Sequence, residues 1–334
     1  MYDHEDACLS DAPLVIRNFL HAQTEGETVK ALLDGLKSDH KHVSSKYFYD
    51  SVGAKLFQEI TLLPEYYLTR TEKEILRGAS IQIAGHMRGT DIIELGSGDS
   101  SKISIVLGSM PGEHIASIRY IPVDVSRASI EDSAEILNKS FPGLKIHGVV
   151  ADFEKQLDLI PGGEERLICF FGSTIGNLAR NESRRFMAEL GRIMKPGGML
   201  LLGIDMVKDK HVLENAYNDS DRTTEKFNRN ILNVVNKLAG TDFDPVLFDH
   251  VAFYNEDQSR IEMHLKATRD MEISSPHLNG RIMIQKGETI HTENSHKFNL
   301  RHIDELASAG GLEIKNIFTD KNRWFSLVHF LKRA

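Results

Sequence analysis

Cysteine is rare in this sequence: among 334 residues there are two, Cys8 and Cys169. So few cysteines exclude a four-cysteine zinc site and do not indicate a disulfide-stabilised fold. The fifteen histidines are scattered along the chain, and this spacing predicts no metal-ligand cluster. We therefore expect a protein without a metal centre.

Long apolar runs and an excess of positive charge are also missing. No run approaches the roughly 20 apolar residues that cross a bilayer, and the acidic first residues carry no apolar segment typical of a secretory signal. The formal net charge is −8, which argues against a surface that binds the phosphate backbone of nucleic acids. We expect a cytoplasmic monomer that acts on a small molecule, independently of membranes and nucleic acids.

A third glycine is absent from the most informative loop of the chain. A buried-strand pattern at Asp91–Leu95 leads into Gly96 and Gly98, where the backbone can approach a ligand at the carboxyl end of a strand. A dinucleotide-binding loop usually has another glycine three positions later, but Ser101 stands there. The loop therefore favours a smaller, phosphate-free nucleoside ligand such as S-adenosylmethionine (SAM). The two glycines alone are equally compatible with an ordinary tight turn.

Strand and helix patterns alternate from residue 91 to residue 207. Asn181 is predicted to cap the helix that precedes the last of these strands. Repeated strand–helix–strand units predict a parallel sheet covered on both faces, so the expected fold class is α/β. The predicted strands are Ile92–Leu95, Tyr120–Val125, Ile146–Val150, Leu167–Phe171 and Met199–Met206.

The pattern changes after residue 207. Residues 208–240 have helical periodicity, with Gly240 as the stop. Alternating segments follow and favour an antiparallel sheet, and two final strands are expected to return to the first sheet. The middle block is then an insertion that the N-terminal segment can join. The alternating segments are His250–Tyr254, Ile261–Thr268 and Ile290–Phe298, and the final strands are Leu312–Phe318 and Trp324–Leu331.

Acidic residues follow successive predicted strands. Asp124 can accept both ribose hydroxyls of a nucleoside that lies across the strand ends. Asp152 can take the adenine amino group, and the ring of Phe153 can stack on adenine. Each aspartate alone is more often a turn residue, but their occurrence at consecutive strand ends favours a nucleoside site. Lys195-Pro-Gly-Gly, a turn that recurs in class I methyltransferases, adds to this interpretation.

Several uncommon motifs resemble those of the histidine-specific Nα-methyltransferases of ergothioneine biosynthesis. The likeness covers nearly the whole chain and implies a class I (Rossmann-like) SAM-dependent methyltransferase fold with a second, discontinuous α+β substrate-binding domain. The implied division is 68–207 plus 297–334 for the first domain and 11–67 plus 208–296 for the second. The motifs are Lys46-Tyr-Phe-Tyr-Asp50, Leu63-Pro-Glu-Tyr-Tyr-Leu-Thr-Arg70, Glu94-Leu-Gly-Ser-Gly98, Gly172-Ser-Thr-Ile-Gly-Asn-Leu178, Phe227-Asn-Arg-Asn230, Ile261-Glu-Met263 and His291-Thr-Glu-Asn-Ser-His-Lys-Phe298.

The resemblance also implies roles for single residues. Asn177 and Tyr217 would hold the amino and carboxylate groups of the amino-acid substrate, and with Tyr49 they would form the catalytic set. Phe57 would line the cavity, and Met263 would pack near the substrate ring. The methyl donor would contact Tyr49, Gly96, Lys102, Asp124, Asp152 and Phe153. The imidazole ring would face Tyr66, Glu293 and Ser295.

The last pair can be tested against strand geometry. Glu293 and Ser295 are two apart on a predicted strand, so their side chains project from one face. A carboxylate and a hydroxyl side by side can bind both ring nitrogens of an imidazole, one as donor and one as acceptor. Together with His291 and Lys297, the same alternation is equally typical of a solvated strand face.

The resemblance implies SAM-dependent trimethylation of the α-amino group of L-histidine to hercynine, the first step of ergothioneine biosynthesis. Three alternatives stay open at this point. The first is an N-methyltransferase for another amino acid, such as an indole-bearing one. The second is a non-catalytic SAM-binding module, and the third is an NAD-dependent dehydrogenase, which Ser101 disfavours.

Overall fold

The computed structural model describes residues 14–20, 25–84, 87–161 and 166–333. Cys8 and the first three residues of the predicted substrate domain, 11–13, lie outside the described residues. Cys169 is buried as a free thiol. Among the described helices, none is long and apolar enough to cross a membrane.

The helices and strands follow one another in the order that the sequence pattern predicts after residue 90. The strands are β1 Leu14–Asn18, β2 Asp91–Leu95, β3 Arg119–Asp124, β4 Lys145–Val150, β5 Arg166–Phe170, β6 Met199–Asp205, β7 Phe248–Asn255, β8 Arg260–Ala267, β9 Met271–Ile273, β10 Ile282–Ile284, β11 Thr289–His296, β12 Leu312–Thr319 and β13 Phe325–Lys332. The helices are α1 Glu25–Lys37, α2 Ser51–Leu62, α3 Tyr67–Ala84, α4 Ser101–Gly108, α5 Gly112–Ile115, α6 Arg127–Ser140, α7 Arg180–Ile193, α8 Lys210–Asn215, α9 Thr223–Ala239 and α10 Leu300–Gly310.

The main sheet confirms the predicted α/β class. Within the described ranges it has eight strands in the order β1-β4-β3-β2-β5-β6-β13-β12. Strands β1 to β6 run parallel, and β13 lies antiparallel between β6 and β12. A sheet in which one reversed strand, here β13, lies between two strands of the common direction, β6 and β12, is the arrangement of the class I methyltransferase fold, as expected.

The sheet is covered on both faces because the side chains of its strands alternate between two apolar cores. Every residue of β2 is buried. Ile92 joins the core formed with α3 and α4, whereas Ile93 and Leu95 join the core formed with α7 and α10. The two charged residues of β2, Asp91 and Glu94, are buried as well and accept hydrogen bonds from Arg119 and Tyr120, so the strand shows no alternation of buried and exposed positions.

Two local predictions are wrong. Asn181 does not cap α7, because the helix begins at Arg180 and its N-cap is Ala179, whose backbone N–H donates to the Glu182 carboxylate at 2.9 Å. Residues 208–240 are not one helix either. The Asp219 carboxylate accepts from the N–H groups of Thr223 and Thr224 and starts α9 separately from α8. The predicted stop at Gly240 is confirmed, with φ +60°.

The N-terminal strand corrects the predicted domain division at its start. Residues 14–18 fall in the range assigned to the substrate-binding domain, but β1 pairs in parallel with β4 and forms an edge of the main sheet. The run Leu-Val-Ile can extend the sheet because β-branched residues suit a half-buried strand. The short hairpin of β9 and β10 was not predicted.

The predicted antiparallel sheet is present beyond the main sheet. Among the described residues it consists of β11, β8 and β7 in that order. Helix α9 packs against β7 and β8, and the ring of Phe227 on α9 stacks on Phe48 at 4.5 Å. This stack ties the segment before α2 to the inserted block, so residues far apart in the chain meet beside the carboxyl ends of the main strands.

Candidate active site

The predicted nucleoside-binding residues meet at the carboxyl ends of the neighbouring strands β2, β3 and β4. Gly96 has φ +65°, a conformation that residues with a side chain rarely adopt. The N–H of Gly98 donates to Asp124 Oδ2 at 3.0 Å. A Cβ atom on Gly96 would lie 3.5 Å from Cε1 of Phe153. The structure thus brings Gly96, Gly98, Asp124 and Phe153 together around one open loop.

The carboxylate of Asp124 is fixed from behind. Its second oxygen accepts from the N–H of Ser126 at 2.9 Å. Burial raises the pKa of Asp124, although the backbone hydrogen bonds from Ser126 and Gly98 oppose the shift. A carboxylate offers about four lone-pair positions, so acceptor capacity remains on the side that faces the loop.

Asp152 and Lys102 lie near the same strand ends but have partners of their own. Asp152 Oδ1 accepts from the N–H of Glu154 at 3.1 Å. Burial, followed by the charge of Asp152, raises the pKa of Tyr47. The ammonium of Lys102 lies 2.8 Å from the fully buried carboxylate of Glu72, which also accepts from the N–H of Gly172 at 2.9 Å. Lys102 therefore stabilises the turn after β5, and its predicted contact with the methyl donor stays a prediction.

The predicted substrate residues form a chain of aromatic contacts. Phe57 lies edge-on to Tyr49 at 5.7 Å and to Tyr66 at 6.2 Å between ring centroids. Tyr66 in turn contacts Tyr217 at 6.4 Å. Tyr66 and Tyr217 are buried, whereas 40% of Tyr49 is exposed. These four rings form one aromatic cluster whose exposed member is Tyr49, and that they line the substrate cavity stays a prediction.

Glu293, Ser295 and Met263 lie where the strand pattern predicts. Glu293 on β11 is the direct partner of Met263 on β8, and Ser295 is buried on the same face of β11. The solvated strand face that the alternation also allowed is therefore wrong. Desolvation in the pocket raises the pKa of Glu293 to about 7, although the charge of Lys297 and a hydrogen bond with Asn177 oppose the shift.

Asn177 reaches Glu293 because a glycine precedes it. A Cβ atom on Gly176 would lie 2.8 Å from the carbonyl oxygen of His296, so this turn can approach β11 only without a side chain there. Asn177 ends the turn Thr174–Asn177 and does not cap α7. Its amide is thus available to the cavity.

Tyr49 joins the two halves of the site. Desolvation raises the pKa of its hydroxyl, and the nearby charges of Glu293 and Asp124 add to the shift. Asp124 belongs to the nucleoside side and Glu293 to the ring side. Charges on both sides of the site therefore act on the Tyr49 hydroxyl, and its predicted contact with the methyl donor stays a prediction.

A buried charge cluster beneath the cavity was not predicted. Asp205, at the end of β6, accepts from Tyr67 Oη at 2.8 Å and lies 2.7 Å from Lys297 Nζ. Lys208 also donates to this carboxylate. The two ammonium groups outweigh desolvation and lower the pKa of Asp205. Desolvation lowers the pKa of Lys208 to about 8, and the charge of Lys297, which shares Asp205 with it, adds to this shift.

The histidines depart from the expectation that they are scattered. Glu262, His264 and His291 bring candidate metal-ligand atoms within 4.8 Å of one another. The group could not be recognised in the sequence, because His291 comes 27 positions after His264 and only the pairing of β8 with β11 places the two residues side by side.

Comparison with known proteins decides the family. The model of the histidine-specific, SAM-dependent methyltransferase family matches residues 28–332. The chain belongs to this family. A histidine N-alpha-methyltransferase of Mycobacterium tuberculosis is 40% identical over 294 residues, which are 88% of this chain and 91% of that protein. Ergothioneine biosynthesis protein 1 of Neurospora crassa is 28% identical over 89% of this chain and 34% of that longer protein.

A SAM-dependent methyltransferase from Clostridium acetobutylicum is 10% identical, with a TM-score of 0.48, over 84% of this chain and 99% of that one. The family match confirms the predicted resemblance, the enzyme class and SAM as the methyl donor.

Some residues of this methyltransferase could have been found from its sequence and others could not. Asp205 follows the rule that identified Asp124, an acidic residue at the end of a parallel strand. Lys297 gave no such signal, because a lysine in a polar alternating segment is usually exposed, whereas this side chain is 0% exposed.

Proposed function

We propose that the protein transfers three methyl groups from SAM to the α-amino nitrogen of L-histidine and releases hercynine. It thereby performs the first step of ergothioneine biosynthesis, as a cytoplasmic monomer that needs no membrane or nucleic acid. The two-domain division, corrected at β1, is part of this proposal, with the substrate held between the main sheet and the inserted block. The observation that carries the choice of substrate is the pair Glu293 and Ser295, called here the ring-binding pair.

The hydrogen-bond network gives the two members of the ring-binding pair opposite roles. Lys297 Nζ donates to Ser295 Oγ at 2.8 Å, and Tyr217 Oη donates to the same oxygen at 2.8 Å. Because Ser295 Oγ already accepts twice, its own proton is left to donate into the cavity. Glu293, when ionised, can only accept.

Neutral imidazole matches this arrangement. It has one N–H, which can donate to Glu293, and one bare nitrogen, which can accept from Ser295. An indole ring has an N–H and no ring acceptor, so it would leave the Ser295 hydroxyl unpaired in a buried site. An unsatisfied buried hydroxyl costs about 1–3 kcal/mol, which favours histidine over an indole-bearing amino acid.

The charge cluster supports binding of the substrate carboxylate. Asp205 pairs with the ammonium groups of Lys208 and Lys297. The substrate carboxylate would bind near Tyr217 and Asn177, where the charge of Lys297 also acts on Tyr217. Lys297 lies 3.2 Å from Tyr217 Oη and so orients the hydroxyl that would hold the carboxylate.

The reaction is an in-line displacement at the methyl carbon. The nitrogen lone pair forms the new N–C bond while the bond from carbon to sulfur breaks, and S-adenosylhomocysteine leaves. Starting from the ammonium form, three transfers consume three SAM molecules and release three protons. Positioning supplies most of the rate enhancement in such a reaction. Since the raised pKa keeps Tyr49 neutral, its oxygen can accept a hydrogen bond from the amine and orient the lone pair.

Mass spectrometry of the purified protein tests this proposal. The reaction contains SAM with a deuterated methyl group and an equimolar pool of the twenty amino acids. We expect three labelled methyl groups on histidine and none on the other amino acids, with no product from an Asp124→Ala control. Labelled tryptophan, or no labelled amino acid despite measurable SAM binding, would contradict the proposed substrate.

A further inference from the structure

The small antiparallel sheet carries a second group of polar side chains, on the face away from the ring-binding pair. Glu262 and His264 are two apart on β8 and so project from the same face, while Met263 between them points the other way, towards the cavity. His291 on β11 is the direct partner of His264. The imidazole rings of His264 and His291 lie 5.0 Å apart between centroids.

Neighbouring residues hold two of these side chains in place. Glu262 Oε1 accepts from Arg260 Nε at 2.9 Å and from Asn255 Nδ2 at 2.8 Å. This leaves Oε2 directed at His264 Nε2, 3.1 Å away. His291 Nε2 lies 3.0 Å from Asn294 Oδ1. Because an amide oxygen only accepts, this nitrogen carries the proton and Nδ1 of His291 is bare.

A hydrogen-bonded pair of Glu262 and His264 does not account for the whole group. The Nδ1 atom of His264 is buried and has no hydrogen-bond partner. A third residue, His291, places a candidate ligand nitrogen within 4.8 Å of the ligand atoms of Glu262 and His264. Hydrogen bonds that orient ligands from behind, such as those of Arg260, Asn255 and Asn294, are usual around protein-bound metals.

We propose that Glu262, His264 and His291 bind one divalent transition-metal ion of the zinc class. Two imidazoles and a carboxylate are ligands that zinc accepts, whereas magnesium and calcium prefer all-oxygen sites. The side chains of Glu262 and His264 are 10% and 15% exposed, so an ion can reach them from solvent. The ion would join β8 to β11 directly behind Met263 and Glu293. It would brace the sheet that carries the ring-binding pair, without taking part in methyl transfer.

Calorimetric titration of the chelator-treated, full-length protein tests this site. It is done without histidine, since free histidine itself chelates zinc. We expect one equivalent of Zn²⁺ to bind, no heat with Mg²⁺, and visible absorption bands of bound Co²⁺ that Zn²⁺ abolishes. His264→Ala and His291→Ala should each weaken Zn²⁺ binding at least tenfold.

His211→Ala is the matched control, because His211 is exposed on α8 and does not belong to the group of Glu262, His264 and His291. Its Zn²⁺ affinity should equal that of the unchanged protein. His291→Asn serves as a second, polar variant if the alanine variant does not fold, and SAM binding verifies the fold of each variant. No Zn²⁺ binding to the unchanged protein, or equal binding by all variants, would overturn the proposal.

Discussion

Replacing Glu293 by glutamine is the most direct perturbation of the proposed ring-binding pair. The substitution keeps the length and shape of the side chain and removes its charge. Glu293 is hydrogen-bonded with Asn177 and lies in the field of the Lys297 charge. The residues proposed to bind SAM have other partners, since the N–H of Gly98 donates to Asp124. We therefore expect weaker binding of histidine and unchanged binding of SAM.

The size of the loss follows from the hydrogen bond that disappears. A hydrogen bond to a charged group contributes about 1.5–3 kcal/mol, and about 1.4 kcal/mol is tenfold in affinity. Histidine affinity should therefore fall about 10- to 140-fold. Glu293→Ala should cost more, because it also leaves the Asn177 amide without its carboxylate partner.

The pH profile separates this role from a structural one. Since the pKa of Glu293 is raised to about 7, the free carboxyl gains a proton as the pH falls through 7, and the acceptor for the ring N–H is lost. Histidine affinity should fall over that range. In Glu293→Gln this step should vanish, leaving the titration of the ligand's own ring near 6.5.

Isothermal titration calorimetry with histidine and with SAM, each from pH 6 to pH 8.5, measures both effects. Folding is checked by thermal melting. The ionised carboxyl is disfavoured in the folded pocket, so above pH 7 the neutral glutamine should not lower the melting temperature. An equal loss of SAM and histidine affinity, or an unchanged pH profile, would refute the assigned role.

Three further substitutions test other parts of the site. Asp124→Ala should weaken SAM binding at least tenfold by calorimetry, because it removes the acceptor that holds Gly98, whereas exposed Asp132→Ala should not. Gly176→Ala places a Cβ 2.8 Å from the His296 carbonyl oxygen, so it should cost about 1–3 kcal/mol of stability and raise KM for histidine. Gly78→Ala, with open space around its Cβ, should cost nothing. Lys297→Met removes the donor to Ser295 and Tyr217. It should reduce the preference for histidine over tryptophan at least tenfold in competition assays, whereas Lys226→Met, at an exposed lysine, should leave it unchanged. An unchanged preference in Lys297→Met would contradict the proposed hydrogen-bond direction at Ser295.

The parallel strands of the main sheet and most of their bounds could be predicted because each strand is a short, largely apolar run followed by a turn, whereas their order in the sheet came from the structure. The rule that places ligands at strand ends located Gly96 and Asp124 without a structure. Asn181 failed as a cap because a glutamate one residue further, Glu182, satisfies the N-terminus of α7. Local propensity cannot decide between two such neighbours.

The features that could not be predicted depend on pairing between strands that lie far apart in the chain. The edge strand β1 depends on β4, more than 120 positions later in the chain, and the group of Glu262, His264 and His291 depends on the register of β8 and β11. Motif resemblance supplied Tyr66, Tyr217 and Glu293, which no periodicity identifies. It gave no partners for these residues, so the hydrogen bonds of Lys297 with Ser295 and Tyr217 and its ion pair with Asp205 emerged from the structure.

The buried lysine explains how one strand can serve both recognition and charge balance. Lys297 directly follows β11, two positions after Ser295. Its ammonium group donates its three hydrogen bonds to Asp205, Ser295 and Tyr217. Asp205 anchors that ammonium to the end of β6 in the main sheet. A change in the position of β11 relative to β6 would therefore break a fully buried ion pair, which costs about 3–5 kcal/mol when one partner is lost. The contact of Lys297 that sets the hydrogen-bond direction at Ser295 thus also fixes the distance between the ring-binding pair and the strand ends at which we propose that SAM binds.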